Sequence, residues 1–193
     1  MRRWRRVDNW QEWRRKRSPP MKSIHNQIQL LHPEAKMPTR GSDRAAGYDI
    51  ACVGGLDGLD PKIIDKLQER DPASLAGMLD LQAGRLVLTP GSSFLFRTGI
   101  AMAIAPGYQC LLWDRSGLGG MDRVHRLAGV IDEDYRGEWL VRLVHLGDAP
   151  IPIKVGDRIV QGIFQERIDA SFQLVTELPG SSRASAGFGA SGK

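Results

Sequence analysis

The chain has little of what a metal or disulfide protein needs. Its 193 residues include two cysteines and four histidines. Cys52 and Cys110 stand in apolar, strand-like contexts. Two cysteines build neither a disulfide framework nor a thiolate metal site, so they read as buried thiols. His25, His32, His125 and His145 lack the spacing of zinc ligands. No apolar run approaches the roughly 20 residues that cross a bilayer, and the N-terminus is too rich in arginine and tryptophan for a secretory signal. The expectation is a soluble, cytoplasmic protein without a membrane partner.

An excess of one charge is missing too, once the charge is divided along the chain. Residues 1–20 carry eight cationic side chains against Asp8 and Glu12, a net +6, so the remainder holds −1 of the overall +5. A near-neutral body does not fit a nucleic-acid-binding domain. The basic arm ends in Pro19-Pro20 and is expected to be disordered, with Met21 a candidate for the true start. A nucleic acid, membrane or protein partner on the arm has no further support in the sequence.

With 41% hydrophobic residues the chain can bury one good core. From Ile28 onward, short strand-like runs are separated by Gly and Pro: 28–31, 47–53, 86–88, 94–105, 109–113, 138–145 and 158–166. This spacing predicts an all-β barrel or sandwich. Between Asp60 and Leu81 the pattern changes. Asp60-Pro61 and Asp71-Pro72 are helix caps followed by proline at the first helical position. Ile63, Ile64 and Leu67, then Leu75, Met78 and Leu79, recur at helical spacing. Two short helices are predicted as an insert, about 55–80, which is either a passive surface excursion or a lid or partner-binding element.

Three segments carry chemistry. In the run from Ala128 to Glu138, Val130 and Ile131 have the β-branched character of a sheet interior, while Asp132, Asp134 and Arg136 crowd a turn closed by Gly137. Residues alone leave two readings open, a solvated hairpin or a catalytic strand tip. Arg115-Ser116-Gly117, after the apolar strand ending at Trp113, can cradle phosphate oxygens or be a surface turn. The tail from Gly180 to Lys193 has linker composition, yet Arg183 and Phe188 would let it close over a nucleotide.

Five motifs in one order give these segments a context: Ala45-Ala46-Gly47-Tyr48-Asp49-Ile50, Asp114-Arg115-Ser116-Gly117-Leu118-Gly119, the run from Ala128 to Glu138, Gly156-Asp157-Arg158-Ile159-Val160-Gln161, and Arg183 to Gly192. From about Met21 to Lys193 the chain resembles the trimeric dUTP pyrophosphatases, or dUTPases. The resemblance implies a jelly-roll-like barrel over 21–179, a tail at 180–193 and a homotrimer with shared active sites. Phosphate-binding motifs would come from one chain, the uracil hairpin with Asp132 and Tyr135 from a second, and the tail from a third.

The implied reaction is Mg²⁺-assisted hydrolysis of dUTP to dUMP and pyrophosphate, which excludes uracil from DNA and supplies dUMP for dTMP synthesis. Asp132 is the implied general base. Arg115, Ser116, Gly117 and Gln161 would hold phosphates, and Tyr135 would pack on deoxyribose. The hairpin of about Val124 to Ile131, with Gly129, Val130 and Ile131, would read uracil through its main chain. Arg183, Phe188, Gly189 and Ser191 would act from the tail. No direct protein ligand to the metal is implied; Asp49 would order its water shell and nearby arginines.

Asp157 and Arg158 read as an ion-paired turn, and Asp134 and Arg136 as turn scaffolding. Arg126 departs from the small or amide side chain of some relatives, and Ala184 and Ala186 replace glycines. The related dCTP deaminases place a proton-carrying glutamate where Arg142 stands, and an arginine cannot shuttle that proton. A reading of another class is a nucleotide-sensing regulator that uses the insert or the arm.

Overall fold

Asp60 and Asp71 each start a helix by the same local device. The Asp60 carboxylate accepts from Lys62 N at 2.9 Å ahead of α1 (Pro61–Arg70), and that of Asp71 accepts from Ser74 N at 3.3 Å ahead of α2 (Pro72–Gln82). Proline forfeits nothing at the first position, because the first-turn N–H groups have no partner inside the helix. The computed structural model describes residues 22–84 and 86–181.

Everything else regular in the described residues is strand, apart from a π-helical turn at Ser116–Met121. The strands are β1 (Gln27–Leu30), β2 (Tyr48–Ala51), β3 (Val87–Leu88), β4 (Ser93–Arg97), β5 (Ile100–Ala103), β6 (Tyr108–Trp113), β7 (Val124–Leu127), β8 (Val130–Ile131), β9 (Leu140–His145), β10 (Ile151–Pro152) and β11 (Arg158–Glu166). They pair antiparallel as a four-stranded sheet β2-β11-β6-β8, a three-stranded sheet β4-β9-β7, and the pairs β1-β5 and β10-β3. The fold is all-β, and among the described residues these pairings do not run round into a closed barrel. Trp139, Phe96, Ile50, Leu143, Ile159 and Cys110 fill one core. The period of two that buries Val141, Leu143 and His145 while leaving Leu140, Arg142 and Val144 partly exposed is legible in β9.

Two expectations change. The single strand predicted over 94–105 is two, because Gly99 at φ +67° turns the chain from β4, paired with β9, to β5, paired with β1. A Cβ there would meet the Cβ atoms of Ala35 and His32 at 2.8 and 2.9 Å. Likewise, Val124 to Ile131 is not a hairpin whose arms pair with each other. β7 pairs with β9 in one sheet and β8 with β6 in the other, so the segment crosses between sheets. Val130 is correspondingly 63% exposed, and only Ile131 belongs to the interior.

The helical pair covers the β4-β9 face. Leu59, Leu67 and Met78 pack with Leu95 and Leu140. The buried Ser74 hydroxyl donates to Asp71 Oδ2 at 2.6 Å and accepts from Leu95 N at 2.9 Å, and Arg142 of β9 forms an ion pair with Asp71. Burial pulls the Asp71 carboxyl upward, but the Ser74 hydroxyl and the Arg142 guanidinium outweigh it and hold the group below its ordinary value. A second tie is deeper. Arg97, fully buried, donates from Nη2 to Glu138 Oε2 at 2.9 Å and from Nη1 to the carbonyls of Gly55 and Asp57 at 3.1 and 2.9 Å. Glu138 Oε1 also accepts from Gly99 N at 2.8 Å, so every strong polar group of the pair is used.

Candidate active site

β6 ends at Trp113 and delivers Asp114 and Arg115 into the π-helical turn. Arg115 meets Asp49 of β2 through Nε at 2.8 Å and Nη2 at 3.3 Å, and donates from Nη1 to the Arg158 carbonyl at 3.2 Å. Arg158 Nη1 adds a third contact to Asp49 at 3.0 Å. Two guanidinium groups thus share one carboxylate, leaving a net positive charge beside exposed Ser116 and Gly117. Such a surface receives anions. Arg158 is therefore paired with Asp49 and not with Asp157, whose carboxylate accepts from Lys154 N at 2.8 Å. Gln161 lies opposite both Asp49 and Trp113 in the sheet, and its amide donates to the Asp114 carbonyl at 2.8 Å. That bond fixes the strand end from which Arg115 extends.

Asp132 follows β8 and is exposed, and its carboxylate bonds to no other described residue. The turn beyond it is tied down. Tyr135 N donates to the Asp132 carbonyl at 3.2 Å, the Tyr135 hydroxyl to the Glu138 carbonyl at 3.0 Å, and Arg136 Nη1 to the Glu133 carbonyl at 2.6 Å. Burial first, and then the Glu138 charge, push the Tyr135 phenol up, so it stays neutral near pH 7. Its ring is half-exposed and its hydroxyl is anchored, three residues after Asp132.

These two groups do not meet within one chain. Ile131 lies opposite Cys110, so Asp132 falls near the level of Gln109 while Arg115 lies beyond the other end of β6. Six residues separate the levels, from Gln109 to Arg115, the last two beyond the end of β6, about 20 Å at extended spacing. Gly129 lies between, its carbonyl accepting from Leu112 N at 2.7 Å. The structure thus brings Asp49, Arg115, Ser116, Gly117 and Gln161 together at one end, and Asp132 and Tyr135 at the other, with Gly129, Val130 and Ile131 along the way. Arg183, Phe188, Gly189 and Ser191, like Ala184, Ala186 and the basic arm, lie outside the described residues.

A family model described as dUTPase matches residues 66–192. The chain belongs to the dUTPase family. It is 39% identical over 140 residues to the deoxyuridine 5'-triphosphate nucleotidohydrolase of Neisseria meningitidis serogroup C, covering 69% of this chain and 93% of that protein. The enzyme of the same name from Helicobacter pylori strain J99 is 32% identical over 167 residues, with 86% and 94% covered. Among solved structures, the dUTPase of Staphylococcus bacteriophage 80alpha with dUPNHPP superposes with a TM-score of 0.64 at 23% identity, covering 88% of this chain and 99% of that one. At that identity the likeness speaks for the fold.

Sequence reasoning missed two residues of this dUTPase's site. In the sequence Arg158 reads as paired with its neighbour Asp157 in a turn, whereas its partner Asp49 is 109 positions away. Asp114 carries no signal in the sequence beyond its motif, yet its carboxylate accepts from Arg126 N at 2.9 Å and lies 2.6 Å from His125 Nδ1. Among the described residues no group of three or more His, Cys, Asp or Glu side chains could hold a metal ion, and both Asp49 oxygens are taken by arginines. The donor set fits a cation carried by substrate phosphates, with Asp49 reaching at most its water shell. No helix in the described residues is long and apolar enough to cross a membrane.

Proposed function

We propose that this dUTPase hydrolyses dUTP to dUMP and pyrophosphate through attack of water, activated by Asp132, on the α-phosphorus. The observation that carries the assignment of the base is the exposed Asp132 carboxylate, bonded to no other described residue and held at a strand tip beside the braced Tyr135. A carboxylate engaged by arginine would be a poor proton acceptor, which is why Asp49 is not the base. As the water oxygen bonds to phosphorus, its proton passes to Asp132, and the electron pair of the breaking P–O bond leaves with pyrophosphate. Arg115, Ser116 and Gly117 bind the phosphate chain, with Gln161 holding the strand end behind them. Tyr135 packs on deoxyribose and excludes a 2′-hydroxyl. Mg²⁺, brought in by the triphosphate, supplies neutralisation of phosphate charge when bound.

The separation of about 20 Å between the levels of Arg115 and Asp132 supports a site shared between copies of the chain in a homotrimer. Residues 21–179 form the catalytic domain on this reading, and Arg183, Phe188, Gly189 and Ser191 close the site from the tail. The physiological outcome is removal of dUTP and provision of dUMP. The test is pyrophosphate release from dUTP, dCTP, dTTP and UTP with Mg²⁺. Rapid turnover of dUTP alone is expected, lost in Asp132→Asn. Comparable turnover of UTP would remove the role given to Tyr135, and an active Asp132→Asn would remove the base.

A further inference from the structure

We propose that Arg126 and Asp114 are positioning residues that set the turn Ala128 to Ile131 and, through it, the preference for uracil over cytosine. This rests on the proposed dUTP hydrolysis and on the main-chain reading of uracil by Gly129, Val130 and Ile131 that the family resemblance implies. The turn crosses between sheets with Ala128 at φ +64° and Gly129 at φ +125°. A Cβ is crowded in the left-handed region, so Ala128 stays there only where its surroundings hold it.

Arg126 supplies one hold. Its Nη1 donates to the Ala128 carbonyl at 2.6 Å, its Cζ stands 5.2 Å from the centre of the Trp113 ring, and its Cδ lies 3.1 Å from where a Cβ on Gly129 would be. Among the described residues Arg126 Nε is buried without a hydrogen-bond partner, a penalty that a side chain free to swing into water would avoid. The guanidinium is thus spent on the turn and on Trp113, and it acts through the main chain. Asp114 supplies the second hold, through Arg126 N and His125, while its own carbonyl is fixed by Gln161. One residue therefore ties the base turn to the strand end that carries Arg115.

Rigidity matters because uracil and cytosine reverse donor and acceptor at two adjacent ring positions: the O4 acceptor becomes an amino donor, and the N3–H donor becomes an acceptor. Peptide groups that face one pattern reject the other only while they cannot rotate. Loosening the Ala128-Gly129 peptide should admit both.

The test is steady-state hydrolysis of dUTP and dCTP by wild type, Arg126→Met, Arg126→Lys and Asp114→Ala, with inorganic tripolyphosphate as a base-free inhibitor. In Arg126→Met the loss of one hydrogen bond and the cation–π contact should raise KM for dUTP about tenfold, with kcat nearly unchanged. The dUTP-to-dCTP ratio of kcat/KM should fall about tenfold while tripolyphosphate inhibition holds. Arg126→Lys, which can still reach the Ala128 carbonyl, should keep part of the ratio, and Asp114→Ala should lose it. An unchanged ratio in Arg126→Met would overturn the proposal. So would a fall matched by equal weakening of tripolyphosphate, which would mean general damage. A wild type indifferent to the base would instead remove the base-reading turn itself.

Discussion

Two inactive variants of this chain should restore each other's activity when mixed. In one chain the level of Asp132 lies six residues from Arg115, about 20 Å at extended spacing, and no reacting phosphate spans that gap. If the phosphate end comes from one copy and Asp132 from the next, Arg115→Gln and Asp132→Asn spoil different halves of each site. Alone, Asp132→Asn should lose roughly 10²- to 10⁴-fold in kcat, the usual contribution of a general base. Its carboxylate bonds to no other described residue, so folding should not suffer. Co-expressed in equal amounts with distinct tags, the two chains should assemble at random into trimers, and about one quarter of all sites should join an intact Arg115 to an intact Asp132. Pyrophosphate release from dUTP should then reach about one quarter of the wild-type rate per site. Wild type mixed with the double variant should also retain about one quarter, against about one half for sites complete within one chain. No recovery above the parents would refute the shared site and the reasoning from strand register.

Glu138→Gln leaves the buried Arg97 charge uncompensated, and should reduce stability to urea by about 3–5 kcal/mol, with Arg97→Met in the same chain recovering part of it. A loss near zero would mean that water reaches the pair. Burial, with a smaller push from Asp157 at Cys52, raises both thiols to about 12. A thiol reagent at pH 8 should label neither cysteine until denaturant is added, and then both. Between pH 9 and 12 the folded chain keeps protons that the unfolded chain releases, so stability should fall as pH rises through that window. Fast labelling of native protein would contradict the packing of Cys52 and Cys110.

What could be read from the sequence was what is decided within a few residues. Asp60 and Asp71 start helices because their carboxylates bond to N–H groups two and three positions on. The π-helical turn after β6 carries Arg115-Ser116-Gly117 where the sequence put a strand end. Pairings across the fold were not legible. Arg158 stands next to Asp157 in sequence, and that proximity suggested the wrong partner. Nothing near Arg97 or Glu138 in the sequence announces a partner 41 positions away in a dry interior. The crossover at Ala128-Gly129 resembles a hairpin locally, because the same backbone turn serves whichever strands its arms go on to meet.

The sequence by itself determined the family, the all-β class, the helical pair and the residue types offered to a nucleotide, because each is written in local spacing and order. Tertiary structure alone decided that Arg115 and Arg158 share Asp49 and that the helices seal the β4-β9 face. It also decided that Asp132 stands apart from Arg115 within its own chain. Those facts depend on strand register, and register is fixed by which side chains the whole core can bury together.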